Sequence, residues 1–296
     1  MMEPVIRIDG RGACPQSGVV KIDWLKSIWI SVMILGSGLA LFNFKLSAFI
    51  LFLLVTYVTL LVGHSIGMHR MMIHRSFKTS NSLRRILIFI GVMVGMGGPF
   101  SIIKIHDIRD WAQREPRCHD FFSHRRRYIR DLMWQLFYKF EFEHPPKVQI
   151  ESSLQYDPFI IFLERYWQAL QLIFAVALFL IGGLPWVLWG VCMRVLVSIA
   201  GHWTITYICH NPGPGTWDVK GAGVQAANLR FAGFLSHGEC WHNNHHAFPE
   251  SAQIGLEAGQ LDPAWWVIRR LEKWGWAYDV GRPRHISQQE DLSLRG

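Results

Sequence analysis

The residue type best placed to do chemistry in this chain is histidine, of which there are 14, most of them grouped. The tightest group is His242-Asn243-Asn244-His245-His246. On an α-helix, positions i, i+3 and i+4 share a face, so His242, His245 and His246 are expected to project together. Three neutral imidazoles on one face pack poorly but suit a divalent transition metal. The alternative is a polar helix face or an interfacial histidine patch. His69-Arg70-Met71-Met72-Ile73-His74 is different. Five residues of α-helix turn through about 140°, so this pair is expected to serve two neighbouring ions rather than chelate one. His64 precedes the pair, His106, His119 and His124 lie in the middle of the chain, and His202, His210 and His237 precede the last group. His144 and His285 stand apart and are read as structural. Zinc needs only three or four ligands, and the candidates outnumber that. Two ions sharing the set is the economical reading. Imidazole ligation beside apolar spans, with few carboxylates, suits iron that activates oxygen against an apolar substrate.

Long apolar segments must position these groups. Half of the residues are hydrophobic, 14 are tryptophan and mean hydropathy is positive at +0.17, as in a polytopic membrane protein. Uncharged stretches predict four spans, at about 27–44, 46–63, 167–183 and 185–201. Asn43-Phe44-Lys45 and Gly182-Gly183-Leu184-Pro185 mark two hairpin tips. Two hairpins put both termini and every histidine group on one side. The net charge is +8, but 16 of the 30 Lys and Arg residues fall between His64 and Gln168, and Lys45 alone lies between the first two spans. That placement follows the positive-inside rule and argues against nucleic acid as a partner. The shared side is therefore read as cytosolic. The segment 86–103 is apolar but interrupted by Gly97-Gly98-Pro99, and is read as re-entrant or interfacial. Asp262 and Pro263 open a helix bearing Trp265, Trp266, Ile268, Leu271 and Trp274, which suits either the membrane surface or the protein's own core. Five cysteines without a CxxC give no disulfide framework. The expected organisation is a cytosolic tail over 1–26, a membrane domain over 27–280 and a C-terminal tail over 281–296.

His69-Arg70-x-x-x-His74 followed by Arg75-Ser76-Phe77 resembles the HRxxxHRSF box of the membrane fatty-acid desaturases, particularly the acyl-CoA delta-9 type. The run from Gly238-Glu239 through His242-Asn243-Asn244-His245-His246 to Phe248-Pro249 is similar to their GExxHNxHHxFP box. His210 matches an extra histidine that follows their fourth span. The similarity covers roughly residues 27–280. It implies an all-α membrane fold of four helices in two hairpins, with a cytosolic helical cap holding a dimetal site. The implied ligands are His69, His74, His106, His210, His242, His245 and His246.

The second box departs from the family pattern. HxxHH becomes His106-Asp107-Ile108-Arg109-Asp110, so only His106 carries over. Arg109 cannot ligate a metal because its guanidinium stays protonated. Asp110 could ligate through its carboxylate or pair with Arg109. His64, His202, His124 and His119 are the further candidates, and the other role open to each is to hydrogen-bond a ligand. Thr206 replaces the family's water-holding asparagine. Arg125, Arg126 and Arg127, with Arg130 nearby, could anchor a phosphate or headgroup, or form an inside-positive loop.

The resemblance implies an oxygen-dependent desaturase that removes two hydrogens from an acyl chain, carried as acyl-CoA or as a lipid, at two iron ions. No separate acid or base is nominated. There is no Gly-rich nucleotide fingerprint, cysteine cluster or haem signature, so an external donor, ferredoxin-like or cytochrome b5-like with its reductase, is implied. Two other readings stay open: a lipid hydroxylase using the same irons, and a non-catalytic membrane metal-binding protein.

Overall fold

The computed structural model describes residues 5–283 and 291–295, so His285 lies outside the described residues. Among the described residues, four helices are long and apolar enough to cross a membrane: Trp24–Phe42, Leu46–Ile73, Pro158–Gly182 and Leu184–Cys209. Both anticipated tips are present. The first helix ends before Asn43, and the third ends at Gly182, where Gly183 takes a positive φ of 71° and Leu184-Pro185 opens the fourth. The outward faces are bare Leu, Ile and Phe, among them Leu35, Leu54, Leu172 and Leu180. Such continuous apolar exposure is stable against lipid but not against water.

The second and fourth helices run past their charge-free windows. At 28 and 26 residues they exceed the roughly 20 that a bilayer core requires. The surplus carries His64, His69, His202 and the approach to His210. Arg194, the one charge within the fourth helix, is fully buried and satisfied by backbone and amide oxygens. Its Nε donates to Gly190 O at 2.7 Å, Nη2 to Gln171 Oε1 at 2.6 Å, and Nη1 to Met93 O. A cation at this depth persists only when so enclosed.

The segment expected to be re-entrant or interfacial is two helices, Asn81–Val92 and Pro99–Arg114, parted by residues 93–98. The first lies directly against the second span. A Cβ on Gly63 would sit 2.4 Å from the backbone of Ile90 and Gly91, and one on Gly67 would sit 2.7 Å from Leu87 O. Small residues four apart thus bring two backbones into contact, the packing habit of apolar helices. The second helix takes Pro99 at its first position and carries His106, Arg109 and Asp110.

Among the described residues, four two-stranded antiparallel ribbons accompany the helices, a departure from the all-α expectation. The longest pairs Gly18–Ile22 with Tyr138–Phe142. The N-terminal segment is also pinned by Arg7, which is buried and donates to Ile73 O at 2.8 Å, Met72 O at 3.0 Å, Asp107 Oδ2 at 3.0 Å and both Glu151 oxygens. The helix Pro263–Lys273 opens as expected, with Asp262 accepting from Trp265 N at 3.0 Å. Trp265 and Ile268 are buried in the protein's own core, one of its two proposed surroundings, whereas Trp266 and Trp274 are exposed.

Candidate metal centre

The second span winds as a π-helix over Thr59–Ile73, and this sets the geometry of the first histidine pair. In π winding the N–H of residue i+5 meets the carbonyl of residue i, and His74 N donates to His69 O at 3.0 Å. Residues five apart therefore stack, which an α-helix does not allow. His69 Nε2 and His74 Nε2 come within 3.2 Å, so the expectation that this pair would serve two different ions is overturned. His106 Nε2 lies 3.3 Å from His74 Nε2, and the His245 ring is centred 4.6 Å from His69 and 4.4 Å from His74. One ligand atom from each of His69, His74, His106 and His245 lies within 4.8 Å of the other three, close enough for one ion.

His210, His242 and His246 make a second group by the same measure. His242 Nε2 and His246 Nε2 are 3.1 Å apart, and the His210 ring is centred 4.7 Å from His242. The expected single face of HNNHH is thus divided. The i, i+4 pair joins one group while His245 joins the other, and the helix His242–Ala247 links the two. A six-residue helix cannot hold itself, and the two asparagines tether this one. Asn243 Oδ1 accepts from Thr216 N at 2.8 Å and Trp217 N at 2.9 Å, and its amide donates to Trp217 O at 2.7 Å and Ala226 O at 3.0 Å. Asn244 donates to Ile254 O at 3.0 Å and Gln260 Oε1 at 2.8 Å.

Acceptors behind the rings aim the nitrogens. Glu239 Oε2 lies 2.6 Å from His69 Nδ1, with Ser65 Oγ donating to the other carboxylate oxygen. His106 Nδ1 meets Asp107 Oδ1 at 3.0 Å, and His210 Nδ1 meets Thr206 O at 2.8 Å. The Asp107 and Thr206 acceptors draw the proton to Nδ1 and leave the Nε2 lone pair facing the cluster, whereas Glu239 meets His69 at ion-pair distance without hydrogen-bond alignment. Burial, and then neighbouring imidazoles, hold His74, His242 and His246 well below the usual histidine pKa. Burial followed by His74 and His69 does the same for His245, and burial followed by His124 and Arg109 does so for His210. Neutral imidazoles crowded nitrogen to nitrogen, with His210 Nε2 buried and without a hydrogen-bond partner, form a donor set that fits transition-metal ions.

Arg70, inside the first box, braces the cluster from behind. Its guanidinium is buried and donates to Asp262 Oδ1 at 2.8 Å, Asp262 Oδ2 at 3.1 Å, Ala252 O at 2.7 Å and His237 O at 3.1 Å. Sequence reasoning assigned no role to Arg70, Asp107, Asn243, Asn244 or Glu239. All five lie inside the histidine boxes, and that proximity was the available signal.

The other candidates fall outside both groups. His64 and His202 pack against each other, ring centroids 5.0 Å apart, with His64 one π turn before His69. His124 is fully buried, bonded through Nδ1 to Asp131 Oδ2 at 3.0 Å and stacked 5.3 Å from His210. His119 caps a short helix by accepting from Phe121 N at 3.1 Å. Asp110 Oδ2 is 3.8 Å from His106 Nε2. Arg125 donates to Gly223 O at 3.0 Å, Arg126 pairs with Asp120 at 2.6 Å, and Arg127 caps the helix Tyr128–Phe137.

Comparison with known proteins adds an independent finding. The family model described as fatty acid desaturase matches residues 45–282. An acyl-CoA 5-desaturase of Anemone leveillei is 30% identical over 286 residues, covering 91% of this chain and 86% of the relative. An sn-1 stearoyl-lipid 9-desaturase of Anabaena variabilis is 29% identical over 263 residues, covering 88% and 94%. A chloroplastic palmitoyl-monogalactosyldiacylglycerol delta-7 desaturase of Arabidopsis thaliana is 30% identical, covering 87% of this chain and 68% of its own length.

Proposed function

The chain belongs to the fatty acid desaturase family and is an oxygen-dependent membrane enzyme of fatty acyl desaturation; we infer that it works at two iron ions held by the seven clustered histidines. His69, His74, His106 and His245 would hold one ion, and His210, His242 and His246 the other. When bound, the iron pair supplies oxygen activation strong enough to break an unactivated C–H bond. The observation that carries this reading is the meeting of seven imidazoles from distant parts of the chain in two groups.

The protein's own part is positional. Glu239, Asp107 and the Thr206 carbonyl orient rings, and Asn243 and Asn244 hold the linking helix in place. The acyl chain must lie with one C–C bond at the metals, because preorganised contact replaces a costly encounter. The substrate is an acyl chain carried on CoA or esterified in a lipid, the two carriers named among the relatives. Electrons come from a separate carrier, and the histidine end and both termini face the cytosol. Arg125, Arg126 and Arg127 would meet an anionic headgroup at that face.

Expression in a host lacking its own desaturase, with lipid and acyl-CoA fractions analysed separately, tests the activity. A new double bond appearing first in one fraction identifies the carrier. Products that gain an oxygen atom, or no product while protein is present in the membrane, would overturn the desaturase reading.

A further inference from the structure

Arg109 is the residue the metal-centre account leaves unused. It lies three positions after His106 on the helix Pro99–Arg114, and the residue is 7% exposed. Its guanidinium rests over the Trp203 ring, 5.3 Å from the centroid. That ring lies 6.2 Å from the His124 ring, which stacks on His210 of the three-histidine group. An aromatic face steadies a cation but offers no lone pair. Neither Nε nor Nη1 of Arg109 has a hydrogen-bond acceptor among the described residues. No ion pair joins Arg109 to Asp110 among them either, although the two are adjacent in sequence. Asp110 and Asp107 are near enough to favour its charge, but neither pairs with it; a buried guanidinium without a paired anion is costly, and it cannot escape by losing its proton.

The neighbouring metal position has the complementary deficit. Three histidines leave a transition ion with open coordination, and every ligand in both groups is a neutral imidazole. Two divalent ions would add four positive charges beside the guanidinium. One small anion answers both needs. We propose that Arg109 holds a small oxyanion or carboxylate that also ligates the metal ion of His210, His242 and His246. One oxygen would face the ion and the other would accept from the guanidinium, the fork geometry that arginine offers carboxylates. Asp110 is the internal competitor, since its carboxylate already lies 3.8 Å from His106 Nε2. The inference commits to an anion from solution. It rests on the two-iron reading, and deepens it by assigning an exogenous ligand to one ion.

Azide is a suitable probe, because binding to ferric iron produces a charge-transfer absorption. The oxidised, iron-loaded protein is titrated with sodium azide and its iron content measured in parallel. Wild type is expected to bind one azide per iron pair. Arg109→Met should weaken binding by at least about tenfold with iron retained, and Arg109→Lys should fall between. Arg109→His offers the ion a fourth imidazole and should abolish azide binding at undiminished iron content, which keeps the test alive if the Met variant folds poorly. Asp110→Asn should leave azide affinity unchanged. Equal affinity in wild type, Arg109→Met and Arg109→His would overturn the proposal, as would tighter azide binding in Asp110→Asn, which would mark Asp110 as the resident anion. Wild-type protein that holds no iron pair would instead sink the two-iron reading beneath it.

Discussion

Glu239 shows how one side chain can govern a centre it does not join. Its carboxylate lies behind His69, 2.6 Å from Nδ1, while Ser65 and the Arg70 guanidinium engage its other oxygen. A carboxylate behind an imidazole fixes the tautomer, orients the ring and raises its basicity. Removing it leaves His69 free to present the wrong nitrogen. Glu239→Ala is expected to lower iron affinity about 10–100-fold, the range for such outer partners. Glu239→Gln, which keeps an oxygen acceptor but no charge, should lose less. Competition for iron with a chelator of known strength measures both. Unchanged affinity in the alanine variant would show that His69 is held by its packing alone.

The π winding of Thr59–Ile73 is the element on which the first group depends. It brings His69 and His74 together, and it lies in backbone contact with Asn81–Val92 through Gly63, Gly67 and Gly91. At Gly63 a side chain would meet main-chain atoms, which have no rotamer by which to move aside. Gly63→Val is therefore expected to part the two helices and cost both stable protein and bound iron. Gly38→Val makes the control, since a Cβ there meets nothing within 4 Å. Detergent-extracted yield and iron per chain measure the outcome. A Gly63→Val protein as abundant and as iron-rich as Gly38→Val would show that this close approach does not position the histidines.

Across the whole molecule, what the sequence disclosed depended on the range of the signal. Uncharged windows located the four long apolar helices found among the described residues, and Gly, Pro and Asn marked the two turns between them, because these are local effects of solvation and backbone freedom. Asp262 and Pro263 marked a helix start for the same reason. The division of the seven histidines was not legible. An α-helical period puts His69 and His74 apart and His242, His245 and His246 together, whereas π winding joins the first pair and the tethered helix His242–Ala247 divides the second set. The ribbons of the N-terminal segment were missed because two to five residues carry no pattern, and their partners lie over a hundred positions away. Arg109 was recognised only as a residue unable to bind metal, since burial without an acceptor is a property of the fold.

The account stands most directly on iron content, measured side by side in purified wild type, His74→Ala and His246→Ala. Two ions in two histidine groups mean about two irons per chain in wild type, with each substitution releasing chiefly the ion of its own group. A wild type holding one iron or none, or substitutions that leave the content unchanged, would contradict it.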